Sequence, residues 1–382
     1  MESKTPVPGE PRIEIRQELG AGEHRRSMAH DVRRGLGSRP KTLPPKYFYD
    51  ARGSRLFEAI TRLPEYYLTD AERSILEAEG DRIVEQAGAE ALVEYGSGSA
   101  GKTELLLRAM HRAGRLRGYA PIDVSPDPVR EVAEALTDRY GDLRVVGIIA
   151  DFESRIDLPF AGLRRLVLFL GSTIGNFRRA EAVAFLHRVG DQLAAEDAFL
   201  VGFDLVKDRA TLEAAYNDGA GVTAEFNLNV LRVLNRELDG DFDLDAFRHR
   251  AIWDPGEARI EMHLVSLRDQ VATLEALDME VRMEEGETIR TELSHKYTRA
   301  SAAVLLQAAG LRLERWITDR EERFALGLAR RGGGDGDGGS GARPPPAPSG
   351  PPPPRRPECR GQILSSTRRT PAASRSGRSS WR

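Results

Sequence analysis

From residue 91 the chain alternates short apolar runs with amphipathic stretches. "ALVEY" (91–95) precedes a glycine turn, "KTELLLRAMHRA" (102–113) reads as a helix, and "GYAPID" (118–123) with "SPDPVREVAEALTDRY" (125–140) repeats the unit. Ser125 is placed to cap the second helix, and prolines occupy its first turn. "LRVVGIIAD", "RRLVLFLGS" and "AFLVGFD" read as further strands, with "RAEAVAFLHRVGDQL" as the helix between the last two. Apolar runs this short, separated by helices, predict a parallel sheet covered on both faces. Ligands of such a sheet bind at the carboxyl ends of its strands.

The alternation breaks between about 207 and 296. "GVTAEFNLNVLRVLNREL" reads as a long helix, and "FRHRAIWD", "ARIEMHLVSLRDQ" and "MEVRMEEGETI" as antiparallel strands. Further on, "ASAAVLLQAAG", "RLERWITD" and "RFALGLAR" read as a helix and two strands that return to the first sheet. Near the start, Thr69 and Glu72 have the spacing of a capping box. The expected division is a flexible N-terminus (1–17), a substrate-binding lobe (18–71 with 207–296), a cofactor domain (72–206 with 297–330) and a tail (331–382).

Composition changes the picture mainly at that tail. Residues 331–382 are dense in Gly, Pro, Ser and Arg, which cannot bury enough apolar area to offset chain entropy, so disorder is expected. The tail holds ten Arg against three acids, about +7; the whole chain is −3, leaving the body near −10. A body this acidic argues against nucleic acid as the main partner. No apolar run approaches the roughly 20 residues of a membrane span, and the first residues lack the apolar core of a secretory signal. With Cys359 as the one cysteine, neither a disulfide framework nor a thiolate metal site is available. The seven His show no metal-ligand spacing, and His111 and His187 fall in helix-like stretches. A cytoplasmic protein with no membrane partner is expected.

The turn "YGSGSAGKT" (95–103) poses a chemical question. Its letters satisfy the G-x-x-x-x-G-K-[ST] pattern of a phosphate-binding loop, yet they also contain the glycine turn of S-adenosylmethionine sites. A triphosphate site needs an acid on another strand for magnesium; the fourth strand ends in Gly171-Ser172-Thr173, and Asp204 after the fifth is the remaining candidate. Against this, the second strand ends in Asp123, twenty-seven residues after Gly96 and suited to accept both ribose hydroxyls. The third ends in Asp151-Phe152, a carboxylate for an adenine amino group beside an aromatic face. This series favours the sulfonium cofactor. Lys102, in the turn, is then free to meet the cofactor's methionine carboxylate.

Four blocks together, "KYFYDARGSRLFEAITRLPEYYLTDAE" (46–72), "YGSGSAGKT" (95–103), "LGSTIGNF" (170–177) and "TELSHKYT" (291–298), closely resemble the histidine-specific methyltransferase family. The resemblance runs from about residue 20 to about 330. It implies an α/β fold, a Rossmann-like class I methyltransferase sheet with a second α+β substrate-binding lobe. It also implies trimethylation of the α-amine of L-histidine to hercynine with S-adenosyl-L-methionine, the first step of ergothioneine biosynthesis, without a metal and as a monomer. Related members act on other amino acids, including tryptophan derivatives. Carried over by motif, Gly96, Lys102, Asp123, Asp151 and Phe152 would hold the cofactor. Tyr66, Gly171, Asn176 and Tyr216 would meet the amino acid's backbone end, Glu292 and Ser294 its imidazole, with Met262 lining the pocket. Tyr49 and Asn176 would lie at the reacting nitrogen.

The residue chemistry suits that assignment. Methyl transfer to an amine needs orientation and an unprotonated nucleophile, with no acid catalyst. An amide such as Asn176 can orient an amine without protonating it, and tyrosine hydroxyls can donate to a carboxylate or accept from an amine. Glu292 and Ser294, two apart in an extended segment, share one face and can pair with both imidazole nitrogens. Two rivals from other classes are a magnesium-dependent nucleotide hydrolase and a catalytically idle binding protein on the same fold.

Overall fold

The computed structural model describes residues 11–332, apart from 19, 99, 100, 152 and 153. In chain order the elements are β1 (Ile13–Gln17), α1 (Ala21–Leu36), β2 (Lys41–Thr42), α2 (Ala51–Ile60), α3 (Leu68–Ala87), β3 (Ala91–Tyr95), α4 (Thr103–Arg112), β4 (Gly118–Asp123), α5 (Pro126–Arg139), β5 (Arg144–Ile149), β6 (Arg165–Phe169), α6 (Arg179–Gln192) and β7 (Ala198–Asp204). They continue with α7 (Arg209–Ala215), α8 (Val222–Glu237), β8 (Phe247–Asp254), β9 (Arg259–Ser266), β10 (Gln270–Leu274), β11 (Met279–Met283), β12 (Thr288–His295), α9 (Arg299–Ala308), β13 (Leu311–Thr318) and β14 (Phe324–Arg331).

The main sheet has the order β1-β5-β4-β3-β6-β7-β14-β13. From β5 to β7 the strands are parallel, and their third-second-first-fourth-fifth order is that of a doubly wound nucleotide-binding sheet. Every residue of β3, β6 and β7 is buried, which is why each reads as an unbroken apolar run rather than an alternating one. β14 inserts antiparallel to β7, and β13 closes that edge. The opposite edge brings a correction. Residues 13–17, expected to be flexible, form β1 and pair in parallel with β5 from Ile13↔Val145 to Gln17↔Ile149.

The stretch assigned to a substrate lobe carries its own sheet, β2-β12-β9-β8, and a β10-β11 hairpin. These pack with the main sheet in one compact unit. A further correction concerns helix starts. α3 begins after Tyr67 with no side-chain cap, so Thr69 and Glu72 form no capping box; Glu72 instead turns fully inward. Ser125 does precede α5, but its hydroxyl caps nothing. At the far end, Arg331 closes β14 rather than opening a tail; the expected disorder of 333–382 lies outside the described residues.

Candidate active site

At the carboxyl ends of β3 and β4 the backbone makes a tight left-handed turn, with Gly96 at φ 73° and Gly98 at φ 45°. The Gly98 N–H donates to Asp123 Oδ2 at 3.2 Å and the Ser125 N–H to Asp123 Oδ1 at 3.1 Å. Each carboxylate oxygen keeps a lone pair for an outside donor. Burial nevertheless raises the Asp123 pKa, against the pull of these backbone bonds. The adjacent Ser97 hydroxyl is buried and lacks a hydrogen-bond partner among the described residues. An orphaned buried hydroxyl and a carboxylate with spare acceptor sites fit a ligand bearing vicinal hydroxyls, as a ribose does.

The other cofactor candidates are less free than their letters suggest. The Asp151 carboxylate accepts from Lys46 Nζ at 2.9 Å, and Lys46 also reaches Asp31 at 3.2 Å. Lys102, expected to await a ligand carboxylate, is ion-paired with Glu72. Glu72 is fully buried and also accepts the Gly171 N–H at 2.9 and 3.0 Å. One carboxylate thus clamps the cofactor turn to the loop after β6. Phe152 lies outside the described residues.

That loop carries the first substrate candidates. Gly171 (φ 73°) and Ser172 (φ 57°) are both left-handed, a strained arrangement for serine. It is braced by Ser172 Oγ, which accepts the Asp204 N–H at 2.9 Å. Gly175 then passes so close to β12 that a Cβ would lie 2.8 Å from the His295 carbonyl oxygen. The close approach delivers Asn176 to β12, where its Nδ2 donates to Glu292 Oε1 at 3.1 Å and to the Leu293 carbonyl at 2.8 Å.

On β12, a register shift after Arg290 precedes Glu292, which stands opposite Met262 of β9, a fully buried residue. Ser294, two residues on, is hydrogen-bonded to the Tyr216 hydroxyl at 2.7 Å. Burial pushes the Glu292 pKa up to about 7, against the Asn176 bond and the charge of Lys296. Tyr66 packs edge-on against Tyr216 at 6.3 Å between centroids. Tyr49 is held from both sides. Asn229 of α8 donates to the Phe48 carbonyl at 3.0 Å and to Asp50 at 2.8 Å, while the Tyr49 ring meets Phe57 and Phe226 edge-on. Tyr49 is 37% exposed, yet desolvation raises the pKa of its hydroxyl, helped by Glu292, Asp123 and Tyr216. Burial first, then the neighbouring acids and phenols, raises Tyr66 and Tyr216 too, so all three phenols are neutral donors.

Beneath Tyr216 lies a charged group centred on Asp204, which the sequence offered only as a magnesium ligand. Asp204 accepts from the Tyr67 hydroxyl at 2.8 and 3.0 Å and is paired with Lys207 and Lys296, each at 2.6 Å. Burial alone would raise the Asp204 carboxyl, but the two lysines outweigh it and hold it below the usual range. Burial brings Lys207 down to about 8 against the attraction of Asp204. An acid neutralised by two lysines is no magnesium ligand, and with Lys102 committed to Glu72 the phosphate-loop reading loses both its key residues. Among the described residues, no group of three or more His, Cys, Asp or Glu side chains is placed to hold a metal.

Asp123 on one side, and Glu292 and Tyr216 on the other, therefore lie within electrostatic reach of Tyr49. Residues 28–331 match a family described as histidine-specific methyltransferase, SAM-dependent. The chain belongs to the histidine-specific methyltransferase family. Among its relatives is histidine N-alpha-methyltransferase of Mycolicibacterium smegmatis, 47% identical over 312 residues, covering 81% of this chain and 97% of that protein. The Mycobacterium tuberculosis protein of the same name is 44% identical over 319 residues, covering 83% and 99%. More distant is L-tryptophan methyltransferase of Psilocybe serbica, 26% identical over 364 residues, covering 85% and 99%.

For a member of this family, the structure brings together Tyr49, Tyr66, Asn176, Tyr216, Glu292 and Ser294 by hydrogen bonds, ring contacts or electrostatic reach, with Met262 opposite Glu292. Glu72 and Lys296 are functional candidates that motif reading missed, and Asp204 entered it only as a possible magnesium ligand. Glu72 and Lys296 both lie inside the quoted blocks, where Glu72 has the spacing of a cap and Lys296 has no assigned role. No helix among the described residues is long and apolar enough to cross a membrane.

Proposed function

We propose that this protein transfers methyl groups from S-adenosylmethionine to the α-amine of L-histidine, three in succession, giving hercynine for ergothioneine biosynthesis. The observation that carries the substrate choice is Glu292, a half-buried carboxylate fixed by Asn176 two residues from the Ser294–Tyr216 hydroxyl pair. An acceptor and a donor at that spacing match the N–H and the bare nitrogen of a neutral imidazole. The names of the two mycobacterial relatives support the same reading.

The donor supplies an electrophilic methyl on a sulfonium. The chain's part is to hold Asp123 ready for ribose hydroxyls and to keep Asn176 Oδ1 and the neutral phenols around the amine. Each transfer forms an N–C bond as the S–C bond breaks. The amine is an ammonium in water, so it must lose one proton to solvent before each of the three transfers, and no group here is a strong acid that would return it. The acidic body, near −10, supports small-molecule partners over nucleic acid. Action as a cytoplasmic monomer is part of the proposal.

The test is mass spectrometry of an amino-acid mixture incubated with the protein and labelled S-adenosylmethionine, followed by kcat/KM for histidine and tryptophan. Histidine is expected to carry the label, and Glu292→Ala to lower its kcat/KM by about 10- to 100-fold, as when a desolvated acceptor is lost. Labelled tryptophan in place of histidine would overturn the substrate and leave amine methylation standing.

A further inference from the structure

We propose that Lys296 is a positioning residue for the substrate: it fixes the Tyr216–Ser294 hydroxyl pair so that one O–H proton is presented to the site. This rests on the reading that the site holds an amino acid for N-methylation. Lys296 is buried, its side chain fully so, and its ammonium has three donors and no acceptor. Those donors go to Asp204 Oδ2 at 2.6 Å, the Tyr216 hydroxyl at 2.9 Å and Ser294 Oγ at 2.8 Å. The same ammonium lies 4.5 Å from the centroid of the Tyr216 ring.

Proton counting gives the consequence. Lys296 can only donate, so each hydroxyl receives one bond from it. The two hydroxyls own two protons, and one is used in the 2.7 Å bond between them. The second has no further acceptor among the described residues, so it is held for a ligand carboxylate or imidazole nitrogen. Whichever way the internal bond runs, the pair offers one donor. Without the ammonium, either hydroxyl could turn its proton inward and present a lone pair instead.

The lysine also sets local charge. Asp204 contributes one negative charge and Lys207 with Lys296 two positive ones, leaving one positive charge under the substrate corner. The groups facing Glu292 are Asn176, Lys296, Tyr49, Tyr66 and Tyr216. Of these, Lys296 is the cation, so it favours the ionised Glu292. Removing it leaves Asp204 still bonded to Lys207 and Tyr67, so the buried acid is not stranded.

The experiment uses the full chain with Lys296→Met, and Lys296→Gln, which keeps an N–H donor without charge, should Met not fold. Calorimetric binding of S-adenosylmethionine reports folding and the cofactor corner. The expected result is unchanged cofactor binding, a KM for histidine raised about 10- to 100-fold as bonds from a charged donor are lost, and a smaller change in kcat. The acid limb of the pH profile should move to higher pH, because Glu292 loses the cation that lowered its pKa. Adding Ser294→Ala to Lys296→Met should cost far less than the sum of the two single effects, since both act through one pair. A KM that stays put, or additive effects with an unmoved acid limb in a folded variant, overturns the proposal. If the wild type prefers another amino acid, the histidine reading falls separately. The Lys296 comparison is then read on that substrate, because the lysine acts through the hydroxyl pair whichever acceptor of the substrate that pair meets.

Discussion

The Asn176 side-chain nitrogen donates to Glu292 Oε1 at 3.1 Å and to the Leu293 carbonyl at 2.8 Å. Both partners are acceptors, so the orientation of the amide is fixed: its nitrogen faces β12 and its oxygen faces away. A carbonyl oxygen can take an N–H from a substrate amine and has no proton to give back. The amine's remaining lone pair is left for the methyl. The same bond restrains Glu292, the carboxylate proposed to read the side chain, so in that reading one amide links the reacting end of the substrate to the specificity end.

Asn176→Ala is therefore expected to lower kcat/KM for histidine by about 100-fold, through loss of the amine acceptor and of the Glu292 bond together. Cofactor affinity should stay near that of the wild type, because Asn176 touches none of Gly96, Gly98 or Asp123. Asn176→Asp should be worse than its near-identical shape suggests. Two adjacent desolvated carboxylates cannot both ionise, so one takes a proton. Steady-state kinetics with isothermal titration of the cofactor checks both variants; an N176A protein with full kcat/KM would remove Asn176 from the reaction.

Glu72 joins Lys102 to the Gly171 N–H, and its side chain is wholly buried. Glu72→Ala unpairs a half-exposed ammonium and leaves a backbone donor without its acceptor, and about 1–3 kcal/mol of stability should be lost. Glu72→Gln keeps an acceptor for Gly171 and should fold, while the freed Lys102 meets the cofactor's carboxylate with its charge uncompensated. Urea denaturation ranks the two variants. If Glu72→Ala is as stable as the wild type, the clamp between the turn and the loop has no energetic content.

Much of this was legible because of how parallel sheets are built. β3, β6 and β7 are buried on both faces, so their residues are apolar without a break and their order follows from the intervening helices. β1 escaped because "IEIRQ" is a half-buried edge strand in a polar terminus, with no continuous apolar run to mark it. The site's motif residues were visible, but their partners were not. Lys46 is 105 residues from Asp151, and Lys102 is 30 from Glu72, separations that carry no local signal. Glu72 was misread for a specific reason: Thr-x-x-Glu before a helix has the same spacing whether the glutamate turns back to cap or inward to pair.

Two desolvated glutamates predict how stability responds to pH. Glu94, under the glycine turn, accepts from Thr103 and from the Tyr119 hydroxyl, the latter at 2.6 Å. Burial outweighs those bonds and pushes its pKa from 4.5 up to about 7, and Glu292 is raised to about the same value. A folded pKa above the unfolded one means the folded state holds the proton more tightly. That stability is fully present below about pH 4.5 and is lost as pH rises through about 7. Glu94→Gln imitates the protonated form and should remove part of the slope, gaining about 2–3 kcal/mol over wild type above pH 7. Thermal unfolding from pH 5 to 8 tests this. Parallel curves for the two proteins would show that Glu94 ionises normally in the folded state.

The last prediction concerns where the folded chain ends. A boundary near Ala329, just ahead of the tail expected from residue 331, cuts into β14. Arg330 and Arg331 pair with Arg312 and Leu311 of β13, and the Gly332 N–H donates to the Gly310 carbonyl at 2.8 Å. The Arg330 guanidinium also reaches Glu314 at 3.1 Å and the carbonyls of Glu196 at 2.8 Å, Asp197 at 3.2 Å and Gln86 at 3.0 Å. One side chain thus ties the sheet's closing strand to the ends of α3 and β7. A chain stopping after Gly332 keeps all of these bonds and should match the full-length protein in melting temperature and kcat/KM. One stopping after Ala329 should lose about 2–4 kcal/mol, and Arg330→Ala in the full chain about 1–3 kcal/mol of that, as expected for several bonds to a charged donor. Melting curves of the three proteins under matched conditions decide it. Equal stability of the 329 and 332 endings would show that the final turn of β14 and its arginine contribute nothing to the fold.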